Sequence, residues 1–173
     1  MTGERSEVRG APAQMAVVGI TGHRVLSPEV ETFTTAEMRR LLGRHRAAEL
    51  VGVSCLAEGA DSVFADLVLG LGGRLVAVLP ARDYREFLPP EHRADYDRLR
   101  AAATRVRTLP EPEVDLAALM TASEALVDEV DELIAVWDGQ PARDYAGTAD
   151  VVAYARSQHK PVHVVWPAGA VRD

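Results

Sequence analysis

The chain has 173 residues, 47% of them hydrophobic, enough for one domain with a sizeable core and too short for two comfortable ones. Against 19 Lys and Arg stand 26 Asp and Glu, and the resulting formal net charge of −7 argues against wholesale neutralisation of a polyanion such as DNA. Cys55 is the only cysteine, which excludes an intrachain disulfide framework or a multi-cysteine metal site and fits a reducing, cytoplasmic address.

Residues 1–14, MTGERSEVRGAPAQ, are polar with Gly and Pro and lack the apolar stretch of a secretory signal, so they read as a disordered lead-in to a single domain over 15–173. No window approaches the roughly 18 consecutive apolar residues of a membrane span. From there, apolar runs of strand length alternate with helical patterns. MAVVGI (15–20) is followed by FTTAEMRRLLGRHRAAE (33–49), LVGVSC (50–55) by ADSVFADLVLGLG (60–72), and RLVAVLP (74–80) by PPEHRADYDRLRAAATR (89–105). The weak strand RVRTLP (105–110), the helix VDLAALMTASEALVDEVD (114–131), the strand LIAVW (133–137), the helix TADVVAYARSQH (148–159) and the strand VHVVW (162–166) complete the series. The strand runs are Val-rich and apolar at consecutive positions, as in strands covered on both faces, while the helical patterns carry apolar residues three or four apart. Strict alternation predicts an α/β fold, a single Rossmann-like three-layer domain with a mostly parallel central sheet and helices on both faces. Ligands of such sheets bind outside the carboxyl ends of the strands. The stretch ARDYREFLPPEHRADY (81–96), where two prolines break the pattern, reads as a lid or rim of that edge.

Chemistry collects at those strand ends. After the first strand, GITGHR (19–24) offers Gly19 and Gly22 for close backbone approach, the Thr21 hydroxyl, the His23 imidazole and the Arg24 guanidinium, a fork suited to phosphate. A turn with solvated side chains explains the same residues about as well. After the second strand, Glu58, Gly59, Ala60 and Asp61 lead into a helix whose first N–H groups face the same edge. Asp61 either caps that helix or accepts hydrogen bonds from a ribose hydroxyl or a neighbouring backbone group; Glu58 is either a solvated charge or an acidic group at the ligand. Pro80 ends the third strand. After the fifth, Asp138 and Gly139 lead through a polar loop to Gly147 and Thr148 at a helix start, an anion cradle unless Thr148 is only an N-cap.

Other constellations fail. Neither a Walker sequence nor a Gly-x-Gly-x-x-Gly loop is present. The five histidines lack metal-ligand spacing, and His45, His92, His159 and His163 read as surface or helix-end residues. Met38 and Met120 read as core, Trp137 and Trp166 as strand-closing residues at the sheet edge, and EALVDEVDE (124–132) as a solvated helix face.

The segments GITGHR, EGADSVFADLVLGLGGRLVAVLP and DG…GTADVVAYA together resemble the SLOG superfamily of Rossmann-like nucleotide-binding domains. That superfamily includes the LONELY GUY phosphoribohydrolases, the DNA-processing protein A family and sensor domains of the TRPM channel type. The resemblance covers residues 15–166. Its middle part is similar to the Gly-x-Ala-x-Gly-Ile-Asp segment of the DNA-processing branch, with Gly59, Ala60 and Asp61 at the matching helix start. Its last part resembles the phosphoribohydrolase signature Gly-Gly-x-Gly-Thr-x-x-Glu, in which the loop holds a phosphate and the Glu is catalytic. Gly147 and Thr148 match, but Val151 stands at the Glu position and Asp150 is one place early. One residue along a helix rotates a side chain by about 100°, off the ligand face.

The resemblance implies a nucleotide or a nucleotide-derived phosphosugar as ligand; no cofactor is required, and the histidine spacing and single cysteine point to no metal. Phosphate is expected against Gly147, Thr148, Gly22 and Arg24, with Glu58 and Asp61 toward the ribose or base. The alternative is a phosphoribohydrolase-like enzyme that cleaves the N-glycosidic bond of a nucleoside monophosphate, with Glu58 as the catalytic carboxylate that activates water or stabilises an oxocarbenium-like ribose. Single-stranded DNA is the third and weakest reading, disfavoured by the acidic net charge. A homo-oligomer is compatible with the fold class.

Overall fold

The structure is a computed structural model that describes residues 14–173. The expected lead-in therefore lies, Gln14 apart, outside the described residues. All six expected strands form: β1 (Ala16–Gly22), β2 (Leu50–Ser54), β3 (Arg74–Leu79), β4 (Arg105–Thr108), β5 (Glu132–Val136) and β6 (Val162–Val165). They make one wholly parallel sheet in the order β4-β3-β2-β1-β5-β6. The helices are α1 (Pro28–Leu42), α2 (Ala60–Gly70), the single turn α3 (Tyr84–Phe87), α4 (Arg93–Ala102), α5 (Leu116–Glu129) and α6 (Thr148–Ser157).

The unbroken Val runs are explained by burial on both sides. Val18 and Ile20 pack with Met38, Leu41, Phe64 and Val68 under α1 and α2, and Leu75, Ala77 and Leu79 with Leu99 of α4 extend that layer. On the other face Val53, Val76, Val78 and Leu133 meet Met120, Leu126 and Val127 of α5 and Val151 and Ala155 of α6. Gly19 belongs to this packing. A Cβ there would lie 2.7 Å from Leu126 Cδ2 and 3.0 Å from Val130 Cγ1, so its bare backbone lets α5 settle onto mid-strand β1. The expectation that Gly19 meets a ligand is corrected accordingly.

Local chemistry moves several boundaries. Helix α1 starts at Pro28 rather than at residue 33, because Ser27 Oγ accepts from Val30 N–H at 3.4 Å, Pro28 takes a position that needs no N–H, and Glu29 and Glu31 face the positive end of the helix. It stops at Leu42, and residues 47–49 form a separate 3-10 turn. Strand β4 is exposed throughout, which explains its faint apolar signal; Arg105 and Arg107 on it both pair with Glu129 at 2.8 Å. Thus 124–132 is more than a solvated face, and Glu132 at the start of β5 takes His45 at 3.2 Å and His163 at 3.1 Å. His92 stands at a helix end, as expected, but is buried, its Nε2 3.0 Å from Leu56 O and 3.3 Å from Ser62 Oγ. Segment 81–96 is a fixed rim. Tyr84 is buried against Phe87 and Tyr96, the Arg93 guanidinium donates to the carbonyls of Arg85, Glu86 and Leu88, and Arg85 grips Asp97.

No helix among the described residues is long and apolar enough to cross a membrane.

Candidate functional site: a cleft at the switch point of the sheet

The order of strands reverses at β1, with β2, β3 and β4 added on one side of it and β5 and β6 on the other. The connection after β1 runs to α1 on one face, and the connection after β5 runs to α6 on the other. Such a switch point opens a crevice at the carboxyl ends of the two strands. Here it is a cleft of about 410 Å³, within the range of small-molecule sites. Thr21, Gly22, His23 and Arg24 from the end of β1 line it, with Cys55, Ala57 and Asp61 on the β2 side and Pro80 after β3. Tyr84 and Phe87 of α3 and Leu116, Leu119 and Ser123 of α5 form one wall, and Arg143, Gly147, Thr148 and Arg172 stand at the β5 side.

His23 ties the cleft together. It is buried, with Nε2 3.2 Å from both Asp138 Oδ1 and Asp138 N and Nδ1 3.5 Å from Thr148 Oγ1, and the edge-to-face Trp166 ring, at 5.3 Å, fixes its plane. Burial pushes its pKa below the ordinary value despite the pull of Asp138, so the ring is neutral at pH 7. A neutral ring has one N–H and one lone pair, and Thr148 Oγ1 either donates to Nδ1 or accepts from it according to the tautomer. Trp166 thus serves the site, while Trp137 donates its indole N–H to Gln140 O at 2.8 Å.

Asp138 is consumed internally. Its carboxylate accepts from Gln140 N–H at 3.1 Å and lies 3.4 Å from Arg172 Nε. Desolvation opposes ionisation, but those contacts and His23 prevail and hold its pKa below the usual carboxylate range. Asp138 therefore does not line the cleft, and neither does Gly139, whose φ of +78° serves the turn in open space.

On the β2 side the expected helix N-terminus is closed off. Ala60 N–H donates to His23 O at 3.2 Å, and Gly59, at φ +78°, lies so near that a Cβ would sit 2.4 Å from Arg24 O. Gly59 and Ala60 lock α2 to the end of β1 and do not face the cleft. Gly22 acts similarly: it is the last residue of β1, paired with Val136, and a Cβ on it would meet that of Ala60 at 2.5 Å. Glu58 also stands outside the wall, its Oε1 3.6 Å from Arg24 Nη1 and its Oε2 buried with no hydrogen-bond partner among the described residues. Arg24 lies over the Phe87 ring at 5.5 Å.

Asp61 does reach the cleft. Its Oδ2 accepts from Ala57 N–H at 3.3 Å, and burial pushes its pKa up to about 7 against that bond and Arg24. Thr148 reaches it as the first residue of α6, not as its cap; Gly147 is the cap and makes no side-chain bond. Sequence reasoning missed Arg143, Arg172, Tyr145 and Leu116. An Arg a few residues before a Gly-Thr helix start was a readable signal for Arg143; Arg172 had none, lying far from every motif.

No family model matches the chain, and no curated protein matches it. Among solved structures it is similar to DNA processing protein A from Streptococcus pneumoniae, at 18% identity and a TM-score of 0.66 over 92% of this chain and 52% of that one. The chain thus spans about half the length of the pneumococcal protein. The same protein from Helicobacter pylori, described in its single-stranded DNA binding mode, matches at 17% identity and TM-score 0.62, over 87% and 65% of the two chains. The molybdenum cofactor carrier protein from Chlamydomonas reinhardtii matches at 16% and 0.54, over 87% and 76%. The chain shares the Rossmann-like α/β fold of these structures.

Within this frame, Val151 occupies the place of the resembled signature's Glu. It is buried and lines the cleft, whereas Asp150 does not. Around the cleft stand Arg24, Arg143 and Arg172 with Asp61, Asp144 and Asp173. At its mouth lie Val25, Phe87, Leu116 and Tyr145, which are four of the eight large apolar side chains exposed among the described residues. Large exposed apolar groups gathered at one opening mark a contact surface.

Proposed function

We propose that the chain binds a nucleotide or a nucleotide-derived phosphosugar in the switch-point cleft, as a sensor or binding protein. One observation carries the reading: Arg143 and Arg172, with Asp144 and Asp173 beside them, line one end of the cleft, and the aromatic and aliphatic side chains of Phe87 and Leu116 line the other. Strand order separates the ends, because α6 follows β5 and α3 follows β3, on opposite sides of β1. Arg143, Arg172 and the N-terminus of α6 suit a phosphate; Phe87, Leu116 and the rim of α3 suit a base. Val151 where a carboxylate would be needed supports binding without glycosidic cleavage.

The test is thermal denaturation with AMP, ADP, ATP, GMP, NAD, ADP-ribose, cyclic dinucleotides and a single-stranded oligonucleotide. A nucleotide at about 100 times its Kd stabilises the fold by about 2.7 kcal/mol, or roughly 5–10 °C for a domain of this size. Arg143→Ala is expected to weaken that nucleotide by about 1.5–3 kcal/mol, the range for a charge-assisted hydrogen bond. A shift with the oligonucleotide alone transfers the cleft to nucleic acid, and no shift with any compound overturns the reading.

A further inference from the structure

One buried carboxyl in the cleft is matched to no part of a bound nucleotide by the two ends described above. Asp61 lies on its floor, 8% exposed, at the foot of the apolar wall that carries Tyr84 and Phe87. Only Oδ2 is bound, by Ala57 N–H; among the described residues no hydrogen bond reaches Oδ1. The hydroxyl of Tyr84, on a residue 1% exposed, likewise has no bond within the described chain. Groups facing Asp61 come from every element around it: Arg24 after β1, Glu58 on its own loop, Cys55 at the end of β2 and Tyr84 on α3, while His92 bonds the neighbouring Ser62. Arg24 favours the carboxylate and Glu58 the acid. Burial keeps both Cys55 and Tyr84 uncharged. Among the described residues no cation forms a salt bridge with Asp61, and Arg24 is turned toward Glu58 and Phe87.

We propose that Asp61 meets the ligand as a neutral carboxylic acid, donating its O–H to an acceptor atom of the nucleobase, so that binding takes up a proton. The Tyr84 hydroxyl is the second reader on the same wall. This rests on the nucleotide reading above and deepens it. A neutral acid in an apolar pocket holds a donor where a carboxylate repels every acceptor and pays the full desolvation of its charge. With burial holding the group near pH 7, the competent form falls from most of the population at pH 6 to a small minority at pH 8.

The experiment is titration calorimetry with AMP on the wild-type chain and Asp61→Asn, at pH 6 and pH 8. The wild-type Kd is expected to rise about tenfold relative to the variant over that interval. Asn keeps an N–H donor at every pH, and the ionisation of the AMP phosphate, near pH 6, acts on both proteins alike and cancels in the ratio. A second measurement needs no variant: at pH 7.5 the wild-type binding heat should differ between buffers of different ionisation enthalpy in the sense of proton uptake. Parallel pH profiles, proton release, or a folded Asp61→Asn that binds at neither pH each overturn the role of Asp61 while leaving a nucleotide site in place. If AMP and the other nucleotides fail to bind the wild-type chain at any pH, the nucleotide reading falls, and this inference with it.

Discussion

Two aspartates flank the end of β1, and their surroundings drive them in opposite directions. Asp138 has Gln140 N–H, His23 and Arg172 around it and stays ionised; Asp61 has one backbone N–H, and its burial dominates. The consequence for stability follows from proton counting. With a folded value of about 7 and an ordinary one of 3.8, the folded state binds the extra proton between those limits. Asp61 therefore costs nothing in its ionisation below about pH 4, costs progressively more as the pH rises toward 7, and adds a constant penalty above that. Replacing Asp61 by Asn is expected to stabilise the chain at pH 8 by a few kcal/mol at most, about 1.4 per pKa unit, and the difference should vanish near pH 4. Urea unfolding of both proteins across that range checks it; a difference independent of pH would mean the carboxyl is not buried as an acid.

At the scale of elements, what matters is how α2 is set against β1, since that junction places Asp61 and the loop carrying Arg24. Gly59 and Gly139 provide a controlled comparison, because both have φ of +78°. Gly59 has ψ of −128°, a region open essentially to glycine, and backbone oxygens of His23 and Arg24 crowd the space where a side chain would go. Nothing lies within 4 Å of the same point on Gly139. Gly139→Ala should cost about 1 kcal/mol, whereas Gly59→Ala should cost about 2–4 kcal/mol and weaken any cleft ligand as well. Melting curves of the two variants decide it, and equal losses would show that the α2–β1 junction tolerates displacement.

Across the whole molecule, β5 is anchored at both ends. Its carboxyl end is held through Asp138 and His23, and its amino end through Glu132, which accepts from His45 beyond α1 and His163 on β6. Partial burial opposes ionisation of Glu132, yet the two imidazoles prevail and lower its pKa. A carboxyl with a depressed folded value adds stability above its ordinary value, here 4.5, and loses it as the pH falls through the folded one. Glu132→Gln should thus lose about 1 kcal/mol at pH 7 and show a shallower fall in melting temperature below pH 4.5 than the wild type. A variant that falls as steeply as the wild type would remove Glu132 from the acid transition.

Much of this is legible in the amino-acid sequence. Consecutive Val residues bounded by helical spacing announce strands buried on both faces, because an apolar side chain on each side of the pleat has no other use. Five of the six strands were found on that ground, and the exposed β4 only by the alternation it completes. Even the missed start of α1 was written in Ser27-Pro28-Glu29. What tertiary structure alone decided concerns partners distant in sequence. A glycine reports only that something approaches its Cα; for Gly19 the visitor is Leu126, for Gly59 the carbonyls of His23 and Arg24, and no local pattern names them. His23 and Asp138 are separated by 115 positions, and Arg172 joins them from outside every motif. Strand order is of the same kind. Alternating βα units fit several parallel orders equally well, and the one adopted sets which strand ends face each other. Secondary structure is governed by neighbours a few residues apart, whereas the cleft is made by contacts that form only once the sheet has closed ranks around β1.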